Sequence, residues 1–416
     1  MVPNTLLDRM ICTTLAFCTQ SAMLAQTTPS VTPPRIENQW EPLFVGYSSE
    51  PGMDYGGRAF AALESAGSRL IGDINQIGSR HPTVRLAWEL PLAGFFTMVN
   101  HEIMGHGSRA RGFGLHPKYG LAHTGIGSEP HTGEESALQC TGGVEAGSVM
   151  AHRVLFSMLE PEGSDGPKLP LALFSKLELT VYVAKTHQPK DQRFIDQWHG
   201  NDIADYLASR QVQRQGIDPA SPAGMAYRPD LSDPMLEKNW RAARAAALWN
   251  LLDPSLVAAT VAYTREHILN GRVRVHAPVW KITDGLGLTV GTRAALNPRE
   301  VSRFLDLYAT TRWGVASVYV RRLDSSVDKT WGGGAVVNAR VARVTMLGFG
   351  ADLWKEPVAL EHLPGASGWN VSTEVNSQFS RHWGFAVKIG TKSRGSFPGL
   401  PLKEGFYAWL GGTASW

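Results

Sequence analysis

The pattern of apolar residues changes near His276, and this change limits the fold more than any other feature of the chain. Between about Arg58 and Arg272, apolar residues recur in long stretches with helical spacing. After His276, apolar and polar residues alternate in segments separated by turn residues, which is typical of strands with one apolar and one polar face. We therefore predict an α+β protein, with a helical part followed by an antiparallel β part.

Alternation in the β part favours about six or seven strands. The segments that carry it are Trp369–Phe379, His382–Lys392, Val315–Val320, Val336–Leu347 and Phe406–Trp416. Two structures fit this pattern. One is an antiparallel sheet covered on one face, and the other is an outer-membrane β-barrel.

Three features support the barrel interpretation: segments of about 10–12 residues, aromatic residues near their ends, and a last segment that reaches Trp416. This last strand, with its terminal aromatic residue, resembles those of bacterial outer-membrane proteins. The resemblance implies association with the outer membrane, and from the sequence both interpretations remain open.

The N-terminus has the order of regions found in a secretory signal peptide. Arg9 precedes the uncharged stretch Met10–Ala25, which ends in small residues ahead of a polar segment. We therefore expect export to the periplasm or the outer membrane. The predicted divisions of the chain are a signal peptide (1–25), a Thr/Pro-rich linker and extended segment (26–57), a mainly helical domain (58–275) and a β domain (276–416).

Composition excludes several classes of protein. Hydrophobic residues make up 43% of the chain, which is enough for a packed core. The net charge is +3 and basic residues are scattered, which argues against nucleic-acid binding. We interpret Trp331–Gly334 as a hairpin or bulge rather than a phosphate loop, and Gly56–Gly57 as a turn.

Candidate chemistry lies in the hexapeptide His101–His106, which reads His-Glu-Ile-Met-Gly-His. Zinc-dependent hydrolases use two such imidazoles to hold the metal, and the adjacent Glu takes a proton from metal-activated water. Their usual histidine spacing is i, i+4, whereas here it is i, i+5, about 140° apart on a regular helix. A local π-bulge would bring both rings to one face, and Gly105 would ease it.

This hexapeptide resembles the H-E-L-L-G-H motif of dipeptidyl peptidase III, a zinc peptidase family. The resemblance implies that His101 and His106 are zinc ligands and that Glu102 is the general base. It covers the hexapeptide alone, because the E-E-C-R-A-E-type segment that supplies the third ligand in that family is absent here.

A zinc site needs a third protein ligand. We predict Glu145, which lies mid-helix among the small residues of Thr141–Ser148, where another helix can approach closely. Glu135 has a structural explanation instead, because Thr132 and Glu135 match a capping box. His152, on the same face as Glu145, is the reserve candidate.

Two alternatives are structural. His101 could be a buried, hydrogen-bonded residue and His106 a helix C-terminal residue, with Glu102 paired to Arg109. A second polar cluster, Trp198–Tyr206, could line a substrate cleft or could be a helix start capped by Asn201 or Asp202.

The leading hypothesis is an exported zinc-dependent hydrolase, a metallopeptidase acting on a peptide or protein substrate. The alternative is a non-catalytic outer-membrane β-barrel or binding protein with a helical periplasmic module. Metal analysis of the wild type and of a His101→Ala variant separates the two.

Overall fold

The computed structural model describes most of the chain after residue 42. The described residues are 43–48, 52–75, 82–120, 122–127, 129–198, 200–325, 328–342, 344–358, 365–380 and 383–414. The predicted signal peptide, most of the predicted linker, His382 and Trp416 lie outside them. Within them, the predicted α+β order is confirmed, with a helical part followed by an antiparallel sheet.

Helices make up most of the part that precedes the sheet. They are α1 (Met53–Asn75), α2 (Leu86–Val99), α3 (Gly107–Gly112), α4 (Gly133–Ser157), α5 (Lys168–Lys185), α6 (Gln192–Gln197), α7 (Asp202–Gln215), α8 (Pro222–Met225), α9 (Pro234–Leu251) and α10 (Pro254–Val261). Two π-helical segments, Asn100–His106 and Ala262–Leu269, continue α2 and α10.

Ten strands form one antiparallel sheet in the order β1-β14-β13-β12-β11-β10-β9-β8-β7-β6. They are β1 (Leu43–Ser48), β6 (Trp280–Thr283), β7 (Leu286–Leu296), β8 (Val301–Thr311), β9 (Gly314–Asp324), β10 (Lys329–Ala342), β11 (Thr345–Lys355), β12 (Ser367–Gln378), β13 (Trp383–Lys392) and β14 (Gly405–Ala414). Two-residue strands form two small pairs, β2 (Lys118–Tyr119) with β3 (Thr124–Gly125) and β4 (Ser164–Asp165) with β5 (Arg274–Val275). The sheet is open, and β1 and β6 are its outer strands.

Local sequence explains where several helices begin and end. The predicted capping box is confirmed at the start of α4, where Thr132 and Glu135 satisfy each other's backbone N–H groups. Asn201 caps α7 by accepting hydrogen bonds from two backbone N–H groups, and α7 ends at Gly216, whose φ of 67° is left-handed. Each such cap stabilises a helix by about 1 kcal/mol.

No single helix among the described residues is both long and apolar enough to cross a bilayer. The consecutive helices Pro234–Leu251 and Pro254–Leu269 meet that criterion only when they are taken together, and they are bent by 44°.

Packing in the helical part is apolar, whereas the sheet face that meets it is polar. Fully buried residues such as Phe194, Leu207 and Leu169 fill the space between helices. The inner face of the sheet instead buries charged and polar side chains, including Arg321 and Asp352. A cavity of about 460 Å³ lies between this face and α1 and α4, and the residues of the candidate metal centre do not line it.

Three details differ from the predictions. Nine strands of the sheet follow the helices instead of six or seven, and the predicted strand Val336–Leu347 covers parts of two of them, β10 and β11, with the turn between them. Trp331–Gly334 lies inside β10, where Trp331 pairs with β9 and the three glycines pair with both β9 and β11, without a bulge. Gly56–Gly57 lies inside α1, and Gly57 packs against the backbone of Met150 in α4.

Candidate metal centre

The two histidines of the hexapeptide share a site because the helix widens between them. Asn100–His106 is π-helical, and the Gly107 N–H donates to the Glu102 carbonyl five residues earlier. The predicted π-bulge is therefore confirmed. It brings the rings of His101 and His106 to 4.7 Å between centroids, with both residues buried.

Glycines let α4 approach this π-helical segment at backbone distance. A side chain on Gly105 would collide with the backbone of Gly142 and Gly143, and one on Gly143 would collide with the His101 ring. The predicted packing role of the small residues in α4 is therefore confirmed. Gly105 contributes to this close approach.

Nδ1 of each imidazole faces an oxygen of a neighbouring residue, and Nε2 points at a common centre. His106 Nδ1 lies 2.5 Å from the Gln139 carbonyl oxygen, and His101 Nδ1 lies 3.2 Å from Glu178 Oε1. The Gln139 carbonyl can only accept, so His106 Nδ1 carries the proton and its Nε2 lone pair stays available. The two Nε2 atoms are 3.0 Å apart.

Asp202 supplies a third ligand atom to the same centre. It is the first residue of α7, and its Oδ2 lies 3.0 Å from His101 Nε2 and 3.4 Å from His106 Nε2. This oxygen is buried without a hydrogen-bond donor among the described residues. Atoms that approach this closely need positive charge between them, from a proton or from a metal ion, so the residues fit a bound cation.

Electrostatics at the centre favour positive charge. Burial alone would lower the pKa of His101, but the carboxylates of Glu178 and Asp202 raise it well above its ordinary value. Burial would raise the pKa of Asp202, yet the two imidazoles lower it overall. Burial raises the pKa of Glu178. A fifth of the Asp202 side chain remains exposed, so the centre is in contact with solvent.

Glu102 lies beside the ligand atoms. Atoms of His101, Glu102 and His106 that could bind a metal all lie within 4.8 Å of one another, so this buried group could hold a metal ion. Thr124 on β3 holds Glu102 by donating from Oγ1 to Oε2 at 2.8 Å.

Tyr182 adds a hydroxyl group to the site. Its ring stacks on His101 with an interplanar angle of 9°, and its hydroxyl oxygen lies 3.5 Å from His101 Nε2. Burial and the carboxylates of Asp202 and Glu178 raise the pKa of this phenol, so it remains a proton donor at neutral pH.

Glu145 is engaged elsewhere. Arg109 donates to both of its carboxylate oxygens, and the Gly399 N–H donates to Oε1 at 2.8 Å. The alternative in which Arg109 pairs with Glu102 is therefore wrong. His152, the reserve candidate, packs against the rings of Phe156 and Tyr308.

Asp202, Glu178 and Tyr182 are the residues at the centre to which the sequence analysis gave no ligand role. Asp202 was predicted as a helix cap or a cleft residue, and Asn201 is the residue that caps the helix. Glu178 and Tyr182 stand four residues apart on α5, so they share a face of a largely apolar helix. This four-residue spacing is the sequence signal from which a role for both residues at one site could have been predicted.

Comparison with known proteins adds no family. No protein-family model and no curated protein matches the chain.

Proposed function

We propose that this protein is an exported zinc-dependent hydrolase, a metallopeptidase that cleaves a peptide or protein substrate. The convergence of His101 Nε2, His106 Nε2 and Asp202 Oδ2 within 3.0–3.4 Å carries the proposal. Two imidazoles and one carboxylate, with a fourth position left open, form the ligand set of catalytic zinc sites. In this proposal Asp202 takes the ligand role that the sequence analysis gave to Glu145.

Residues around the ligands would carry out the proton transfers. Zinc, when bound, supplies Lewis acidity, which polarises a carbonyl group and makes water more acidic. Glu102, held by Thr124, accepts the proton of the attacking water and delivers it to the leaving amine. The Tyr182 hydroxyl donates a hydrogen bond to the substrate carbonyl oxygen as negative charge develops there. Glu178 orients His101 through Nδ1 and keeps its Nε2 available.

The decisive experiment compares zinc content and peptide hydrolysis in the full-length wild type, His101→Ala and Glu102→Gln proteins. We expect about one zinc per chain in the wild type and loss of both zinc and activity in His101→Ala. Glu102→Gln should keep its zinc while hydrolysis of a quenched fluorescent peptide falls by about 10²–10⁴-fold. Glu129→Gln, a change at a loop carboxylate bonded to His116, serves as the control and should alter neither quantity.

Each part of the proposal can fail separately. Unchanged turnover in zinc-loaded Glu102→Gln would rule out Glu102 as the base. Stoichiometric zinc without hydrolysis of any peptide would favour the non-catalytic binding protein. Absence of metal from both wild type and His101→Ala would end the metal hypothesis.

A further inference from the structure

The sheet has the reverse of the polarity expected of a sheet that faces water. In an antiparallel sheet with one solvated face, the covered face is apolar and the other is polar. Here the covered face buries charged residues such as Arg321, Asp352 and Lys392. The outward face of β8–β14 exposes large apolar side chains on every strand, namely Leu307, Val318, Val337, Phe349, Val371, Ile389 and Leu410.

Charge is confined to one edge of this outward face. Between its two ends, the described outward positions of β8–β14 hold no charged residue. Among the outward strand positions, charges appear only at the end with the longer connections, where Arg303, Arg322, Lys329 and Lys355 outnumber Asp324. In the turns at the opposite end, Arg312 is exposed beside Trp313. The result is an uncharged band bordered by a mainly basic rim.

Exposed aromatic residues border the band at both ends. Trp331, Trp369 and Phe406 lie toward the end with the longer connections, and Trp313 and Trp383 lie at the end with the tight turns. Tryptophan favours the interface between lipid headgroups and acyl chains, because its ring is apolar and its N–H is polar. A protein partner gives no reason for aromatic residues at both edges.

The size of the band also helps to distinguish a lipid bilayer from a protein partner. Seven strands about 4.8 Å apart and about eight residues tall cover roughly 34 by 26 Å, or about 900 Å². Typical monomers expose apolar patches of about 300–600 Å², and a standard protein interface buries about 800 Å² on each side. The height is close to the apolar band of about 25 Å that membrane-embedded strands present to lipid.

From these observations we infer that the outward face of β8–β14 contacts the acyl chains of a lipid bilayer, with its basic rim at anionic headgroups. This inference is independent of the metal centre, since none of the metal-centre residues belongs to these strands. It assigns the β part a role that the proposed hydrolase activity does not require.

A matched pair of valines on one strand tests the inference. Val337 lies in the middle of the band and Val341 lies four residues away at its edge, and both are exposed. We expect the full-length protein to float with phosphatidylcholine vesicles and to bind more tightly when phosphatidylglycerol is added at low salt. Val337→Arg should lower the vesicle-bound fraction at least tenfold, and Val341→Arg should change it less than threefold, because the cost of a charge depends on its depth.

A second measurement does not depend on how the Arg variants fold. An environment-sensitive dye on Val337→Cys should be quenched by lipids brominated in mid-chain, and the same dye on Val341→Cys should be quenched much less. Dye on the wild-type protein corrects for labelling of the natural cysteines, Cys12, Cys18 and Cys140. The inference is overturned if the wild type stays out of the vesicle fraction, if both Arg variants bind equally, or if a lipid-free dimer protects both dyes alike.

Discussion

Among individual residues, Asp202 and Glu145 are both carboxylates near the hexapeptide, the first half-buried and the second buried, but their partners differ. Asp202 faces two imidazoles, whereas Glu145 is neutralised by Arg109. The Asp202 carboxylate needs positive charge between itself and the imidazole nitrogens, which a cation can supply. The Glu145 carboxylate is already paired with a guanidinium and needs no cation.

Asp202→Asn should therefore lower zinc affinity at least tenfold, measured by competition with a chelator. Glu145→Gln should leave zinc affinity within about threefold of wild type but destabilise the fold by about 3 kcal/mol, because Arg109 keeps a buried charge without its partner. Urea unfolding measures the second effect. The opposite pattern, with zinc lost only in Glu145→Gln, would restore Glu145 as the ligand.

Glu64 offers a test of pH-dependent stability away from the metal centre. It is fully buried in α1, and neither carboxylate oxygen has a hydrogen-bond partner among the described residues. Burial, with the nearby charges of Glu89 and Asp165, raises its pKa well above the ordinary value of 4.5. A carboxyl group whose pKa is raised by folding favours the folded state below its unfolded pKa, and this contribution is lost as pH rises toward the folded pKa.

Glu64→Gln should remove that pH dependence. We compare the free energy of unfolding of the variant with that of the wild type. The difference, variant minus wild type, should increase between about pH 4.5 and pH 8, by about 1.4 kcal/mol for each unit of pKa elevation. Urea titrations at several pH values measure it, with Glu129→Gln, at a partly exposed loop residue, as the control. A flat difference for Glu64→Gln would mean that this carboxyl titrates normally in the folded protein.

Among the helices and strands, the packing of α4 against the π-helical segment determines the geometry of the centre. A methyl group on Gly143 would collide with the His101 ring, whereas a methyl group on Gly94 in α2 would have its nearest neighbour 4.0 Å away. Gly143→Ala should therefore lower zinc affinity and activity together, measured by chelator competition and peptide hydrolysis. Gly94→Ala should keep both and should stabilise the helix by about 0.5–1 kcal/mol. Equal zinc affinity in the two variants would show that close packing at Gly143 is dispensable.

Local patterns predicted the features of these elements that depend on neighbouring residues. Five-residue spacing predicted the π-helical turn, and the spacing of Thr132 and Glu135 predicted a helix start. The boundary between β10 and β11 was missed because Val341, Ala342 and Val344 keep the segment apolar and no Gly, Pro, Asn or Asp marks the turn. Asp202 was not assigned as a ligand because its approach to the imidazoles depends on how α7 packs, which local spacing does not encode.

Across the full chain, a bound metal would join parts that are distant in sequence. His101 and His106 belong to the π-helical segment after α2, and Asp202 belongs to α7. Zinc at about 100 times its dissociation constant should stabilise the folded protein by about 2.7 kcal/mol and raise its Tm. Calorimetry with zinc and with a chelator measures the shift, and His106→Ala should not show it. A zinc-dependent rise in Tm that persists in His106→Ala would place the metal at another site.

The buried pair of Arg109 on α3 and Glu145 on α4 also connects these two helices to the sheet. Gly399 donates to Glu145 and the Leu400 carbonyl accepts from Arg109, and both residues belong to the connection between β13 and β14. Arg109 follows His106 by less than one helical turn, and Glu145 stands two residues after Gly143. A displacement of that connection therefore acts on α3, which continues the segment of both imidazoles, and on α4, which packs against that segment. The spacing of the ligands is thus mechanically coupled to the sheet.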